Sequence, residues 1–265
     1  MASKLLTPTK AQPKAVKGED VGVLTAVLHL APADLAGIGT TCRYATDECR
    51  AACLNVSGHG AIGIGALDDV RTGAQTNSVQ AARIRKTREF FANAHAFVVR
   101  LAEEVRAHER RARKLGMVAA VRLNATSDIP WERVAPELFA MFPDVRWYDY
   151  TKYPRHARPA EKLPVNYSLT MSYSGHNASA CLDALARGRN VAAVFAVPKG
   201  APLPSVWHGF PVIDGDVNDA RFLDPQRCIV GLRAKGRAKG ATSRFVLDPS
   251  AAPLFPSDRA LSVLA

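Results

Sequence analysis

The chain has 265 residues, 48% hydrophobic and 22% charged, enough for one large domain with a full apolar core. It holds no run of ~18 apolar residues, which argues against a membrane-spanning helix, and "MASKLLTPTKAQPKAVKGED" lacks the apolar stretch of a secretory signal. The formal charge of +11 favours a polyanionic partner, nucleic acid or a nucleotide, and the cytoplasmic location expected of such a chain keeps thiols reduced, which turns the five cysteines from disulfides towards metal ligation.

In chain order, residues 1–20 read as a disordered basic arm with Lys4, Lys10, Lys14 and Lys17, residues 21–248 as a single α/β barrel-like domain, and residues 249–265 as a tail. "VGVLTAVLHL" (21–30) is β-branched and apolar, the pattern of a buried strand. A cysteine segment and the glycine-rich "SGHGAIGIGALDD" follow it. Helical periodicity then runs from Ser78 to Gly116, with Ile84, Phe91, Phe97, Val98, Leu101 and Val105 on its apolar face; it is long enough for two helices. Further strands are predicted over 117–124, 145–151, 165–174, 190–197, "FPVIDGD" and 227–234, with helices over 129–142 and 177–188. Asp128 is placed as N-cap and Pro130 near the first turn of the 129–142 helix. Strands alternating with helices predict a parallel sheet covered by helices, here a partial or irregular (β/α) barrel of about six strands.

Nearly every predicted strand ends in polar residues. They are His29; Asn124, Thr126, Ser127 and Asp128; Asp149, Thr151 and Lys152; Ser172, Ser174, His176 and Asn177; Lys199; Asp214 and Asp216; Arg233 and Lys235. Sites of α/β sheets lie at the carboxyl ends of the strands, so a shared polar rim is expected there. Arg122, Asn124, Asp128 and Ser174 are its candidates for holding a cofactor. Asp149, Lys152 and His176 are its candidates for acid–base or nucleophilic chemistry. Asp214 and Asp216 lack the full calcium-loop pattern and read as turn formers.

Three of the five cysteines fall in "TTCRYATDECRAACLNVSGHG", as C-x6-C-x3-C. Cys42, Cys49 and Cys53, with His59 as a possible fourth donor, suit either of two metals. A structural zinc site takes four thiolate or imidazole ligands. A 4Fe-4S cluster bound by only three thiolates keeps one iron open, the arrangement by which S-adenosylmethionine is chelated in radical enzymes. Cys181 and Cys228, among apolar neighbours, read as core. Basic residues cluster at Arg83, Arg85, Lys86 and Arg88 at a helix start, at Arg106, Arg110, Arg111, Arg113 and Lys114 at a helix end, where they favour the helix dipole, and in the glycine-punctuated loop "LRAKGRAKG", a candidate phosphate contact.

"TTCRYATDECRAACLNVSGHG", "RIRKTREFF", "RLNATSDIPWE", "WYDYTKYPRH", "LTMSYSGHN" and "FLDPQRCIVGLRAKG" together resemble the gene-product-88-like proteins of bacteriophages, over residues 22–240. The three-cysteine loop after a first strand more distantly resembles radical S-adenosylmethionine enzymes, whose usual C-x3-C-x2-C spacing it departs from. The residues leave three functions open. The first is an iron–sulfur enzyme, using S-adenosylmethionine, that acts on nucleic acid or a nucleotide. The second is a zinc-stapled barrel in which Asp149 exchanges or cleaves a base–sugar bond. The third is a metal-stapled DNA-binding protein without catalysis.

Overall fold

The computed structural model describes residues 4–159, 162–240 and 242–250. The chain enters through β1 (Leu6–Thr7), α1 (Pro13–Val16) and β2 (Val23–Leu28). Helices α2 (Asp47–Ala51), α3 (Leu67–Thr72), α4 (Ser78–Ala92) and α5 (Ala94–Lys114) lead to β3 (Val118–Arg122). Helices α6 (Trp131–Val134) and α7 (Pro136–Met141) lead to β4 (Arg146–Thr151). Then come β5 (Tyr167–Ser172), α8 (Ala178–Ala186), β6 (Val191–Phe195), β7 (Val206–Trp207), β8 (Phe210–Asp214), β9 (Ile229–Arg233) and β10 (Val246–Leu247).

One ten-stranded sheet forms, in the order β1-β2-β3-β4-β5-β6-β9-β8-β7, with β10 beside β6. Every pairing from β2 through to β8 is parallel, while β1 and β7 close the ends antiparallel. The carboxyl ends of β2 to β6 therefore point the same way. The expected count of about six strands is corrected to ten, and the sheet stays open. Sequence periodicity passes over β1, β7 and β10 because two residues cannot show an alternation.

Alternation sorts the side chains onto two faces. Leu24, Ala26, Leu28, Val121, Trp147 and Leu169 pack outward under Phe90, Phe97, Leu101, Val105, Leu138 and Phe139 of the helices. Val23, Ala120 and Tyr148 face the other way, against Ala220 and Phe222. Those two residues belong to the segment after β8, which returns across this inner face. Its Asp219 accepts hydrogen bonds from Arg122 (2.9 Å), Tyr148 (3.3 Å) and Tyr150 (3.4 Å). Lys14 and Lys17 donate to the carbonyls of Gly215 and Asp216 at 2.9 and 2.8 Å. Side chains of the N-terminal segment thus reach the far end of the sheet, without strand pairing between the two.

Residues 4–20 are folded, which corrects the expected disordered arm. Leu5 is fully buried, the Glu104 carboxylate accepts both Leu5 N–H and Leu6 N–H at 2.8 Å, and Lys86 donates to the Leu5 carbonyl at 2.7 Å. The predicted tail lies outside the described residues from 251 onward. The long helical pattern divides at Asn93, whose side chain caps α5 by accepting Ala96 N–H. The 129–142 helix divides at Ala135, since the residue before a proline avoids helical angles, and Ala135 has φ −149°. Pro130, not Asp128, sits at its N-cap.

Arg83, Lys86 and Arg88 donate to the backbone carbonyls of Asn55, Leu5 and Ala36 and so tie loops to α4. Glu104→Ala leaves the Leu5 and Leu6 amides without their acceptor. It is expected to cost about 1–3 kcal/mol in urea unfolding and to expose the chain near residue 6 to protease; an unchanged midpoint and digestion pattern would contradict the folded arm.

Candidate functional site

The thiol segment is assembled by hydrogen bonds at the end of β2. Thr41 is buried and donates from Oγ1 to the Ala31 carbonyl at 2.7 Å, while its own carbonyl accepts Asp128 N–H at 2.8 Å. Cys42 follows directly, its Sγ 3.7 Å from the Thr126 carbonyl. Thr46 then caps α2: its Oγ1 accepts Cys49 N–H at 3.2 Å and donates to the Ser174 carbonyl at 3.2 Å. Cys49 and Cys53 stand four residues apart across α2 and its end, which puts them on one side. Cys53 Sγ accepts Asn55 N–H at 3.5 Å. All three thiols are half-buried and free.

Lys152, just beyond β4, joins them. Its Nζ donates to Ser172 Oγ at 3.1 Å and lies 5.9 Å from the centre of the Phe245 ring. Burial works against the ammonium, but Cys49, Asp128 and Cys42 outweigh it and hold its pKa above the ordinary lysine value. Burial raises the Cys42 thiol. Burial, with Cys49 and Cys42 adding to it, pushes Cys53 up to about 12. The three thiols and the one ammonium therefore share a single electrostatic site. A ligand that takes these thiols as thiolates must displace their protons.

The other candidates fall into two groups. His176 lies at this mouth: its Nε2 is 2.9 Å from Glu48 Oε1, a contact between the β5–α8 loop and α2. Ser174 is buried there and contributes its backbone, through the Thr46 bond and through Ser174 N–H to Asn177 Oδ1 at 2.7 Å. Arg122 faces inward and is paired with Asp219. His59 is exposed on a 3-10 turn, and among the described residues no group of three or more His, Cys, Asp or Glu side chains is arranged to hold a metal ion. His29 is buried, hydrogen-bonded at Nδ1 to Thr7 Oγ1, and kept neutral by burial at a pKa of about 3.

Asn124, Asp128 and Asp149 lie beneath the mouth and hold the backbone. Alternation places Asn124 on the same side as Arg122, but the strand ends at Arg122 and Asn124 turns to the helix-covered face. Its Oδ1 accepts from Ser127 Oγ, Ile129 N–H and Trp131 Nε1, and its Nδ2 donates to the Ile129 carbonyl and to Asp149. Asp149, fully buried, accepts Asn124 N–H at 2.7 Å, Asn124 Nδ2 at 3.2 Å and Tyr167 O–H at 2.9 Å. Asp128 accepts Lys152 N–H at 2.7 Å and pairs with the buried Arg158, which also grips Glu132 at 2.9 and 2.7 Å. Both Asp149 oxygens are engaged in the core by these bonds. Sequence reasoning misses Thr46, Asp219, Arg158 and Phe245. Only the S/T-x-x pattern ahead of α2 gives a signal, for Thr46.

The glycine-rich segment serves packing. A Cβ on Gly60 would lie 2.5 Å from the Asn55 carbonyl oxygen, so this glycine allows a close approach within the chain. A separate hollow of about 690 Å³ lies between α3 and α4, over Leu35, Val70 and Ile84; it holds no thiol.

Burial raises the Asp149 carboxyl to about 7, against the donors that favour its charged form. A carboxyl whose pKa is higher in the folded state gives stability that is complete below about pH 4 and is lost as pH rises to about 7. Asp149→Asn should remove that fall, on the order of a few kcal/mol, from urea-unfolding free energies measured between those limits. An identical pH slope in the variant would contradict the assignment.

A family model described as gene product 88 matches residues 3–249. No curated protein and no solved structure matches the chain.

Proposed function

The chain belongs to the gene product 88 family, and from its thiol mouth we propose that it is a phage-encoded iron–sulfur enzyme. Cys42, Cys49 and Cys53 would hold a 4Fe-4S cluster, which would offer S-adenosylmethionine an open coordination position. The observation that carries this reading is the convergence of three free thiols and Lys152 at the carboxyl edge of a run of parallel strands.

Three thiolates would leave one iron of a four-iron cluster open, whereas a structural zinc takes four protein ligands. Zinc at Zn–S bonds of ~2.3 Å needs sulfurs about 3.8 Å apart in a tetrahedron, and the described residues offer no such group. When bound, the cluster supplies an electron and an open coordination position.

The chain's own residues supply the setting. Thr46 fixes the start of α2 and couples it to Ser174, so Cys49 is held against the β5 exit. Lys152 sets a positive charge beside a group that is anionic once three thiolates bind it, which lowers the cost of keeping that charge out of water. His176 and Glu48 clasp the loop over the same edge. Asp149, Asn124, Asp128 and Arg158 hold the strand ends that carry Cys42's neighbour Thr41 and Lys152.

Oxygen-free purification or reconstitution with iron and sulfide should give brown protein with about four irons and four sulfides per chain. Cys42→Ser, Cys49→Ser and Cys53→Ser should each lose most of that colour and iron. Colourless protein with one zinc per chain, or no metal at all, would overturn the reading. Lys152→Gln should keep the cluster but lower its reduction potential, because the reduced cluster loses a neighbouring cation; a potential that stays in place would remove Lys152 from this role.

A further inference from the structure

The loop "LRAKGRAKG" packs directly on the thiol segment. Gly236 approaches Ser57 so closely that a Cβ there would lie 3.1 Å from the Ser57 Cβ, and Ala52 packs with Ala234, Ala238 and Phe245. Within this loop the cations divide. Arg233 and Lys235 are neutralised by Asp214 and Asp216. Arg237 and Lys239 are exposed and have no ion pair among the described residues.

Two more exposed arginines complete an arc around the mouth. Arg43 adjoins Cys42 and acts electrostatically on Tyr153. Arg244 has its backbone and Cβ against Gly175, next to Ser174 and His176. Neither is in an ion pair among the described residues. Of the carboxylates at this edge, Glu48 is taken by His176 and Asp34 by Arg50, which leaves Asp47 exposed. Aromatic side chains adjoin Arg43, Lys152 and Arg244 in the chain. Tyr44 and Tyr153 are half-buried and meet edge to face, with ring centres 4.6 Å apart and planes at 61°, so one ring face is open to a base, and the Phe245 ring stands beside Lys152.

We infer that single-stranded nucleic acid binds across this arc, its phosphates on Arg43, Arg237, Lys239 and Arg244 and one base against the Tyr44–Tyr153 pair, facing Lys152. The phosphate backbone accounts for cations spread along a rim, and rings beside them suit bases, which stack on aromatic side chains whatever their sequence. An acidic protein would use the cations but has no use for an open ring face. A duplex presents its bases already stacked, so a base reaches a half-buried lysine only from a strand that is open or opened. The inference rests on the thiol mouth being the place where a bound strand reacts, but the binding itself needs no cluster.

The test is fluorescence anisotropy with a labelled oligothymidylate of about sixteen nucleotides, a hairpin duplex of equal charge, and polyglutamate. Four phosphate contacts to a single strand predict a slope of about −3 in log affinity against log salt. Single strand should bind tightest. R237E/K239E, both at exposed positions, should weaken it ~10-fold or more and flatten the salt slope by about 1 to 2. Tyr153→Ala should weaken it about 10-fold. Wild-type protein prepared without iron and sulfide should bind as the reconstituted protein does, so that a failed cluster and a failed strand site give different results. Wild-type affinity in R237E/K239E, tighter binding of the duplex, or polyglutamate binding as well as the oligonucleotide would overturn the inference.

Discussion

The site depends on one buried hydrogen-bonded knot, residues 124–128 between the ends of β2 and β4. Its amides and side chains make bonds in both directions: Ala125 N–H and Thr126 Oγ1 to the Leu28 and Leu30 carbonyls, Asp128 N–H to the Thr41 carbonyl, and Asp128 Oδ2 from Lys152 N–H. Asp149 and Asn124 lock its start, and Arg158 locks its end. Buried polar groups of this kind are strong only when all are satisfied, and a missing member leaves its partners dry and unpaired. The knot therefore fixes the separation of the two strand exits, and those exits carry Cys42 and Lys152.

From that constraint the electrostatics arise. Cys42 and Cys53 lie where burial disfavours thiolate, and the ammonium that relieves them is Lys152. The inner face below is closed by Asp219 against Arg122, Tyr148 and Tyr150, so the polar opening of the sheet lies at its carboxyl edge. The basic loop, the aromatic pair and the α2 cap are arranged around this edge. Fold, charge and shape meet at one place on the molecule.

The strands and helices are legible in the sequence because apolar alternation and β-branched runs reflect burial directly, as in "VGVLTAVLHL" and "NVAAVFAV". The thiol spacing is legible because cysteines are rare in this chain. What the sequence hides is direction. "RLNATSDIPWE" looks like a ligand-binding rim, yet Asn124 and Asp128 point into the protein, because a strand end buried under other loops must satisfy its own backbone before it can serve a ligand. Arg83, Lys86 and Arg88 form a basic cluster in the sequence, and the structure turns them onto backbone carbonyls. The N-terminal lysines look solvated, yet Leu5 and Leu6 between them have a buried slot waiting against Glu104. Residues distant in sequence supply those partners, and a linear reading has no term for them.

The central claim is a cluster with one iron left free, and electron paramagnetic resonance of the chemically reduced protein tests it most directly. The account predicts a signal of a reduced four-iron cluster whose shape changes when S-adenosylmethionine is added. A protein that gives no such signal, or a signal indifferent to the added molecule, would contradict it.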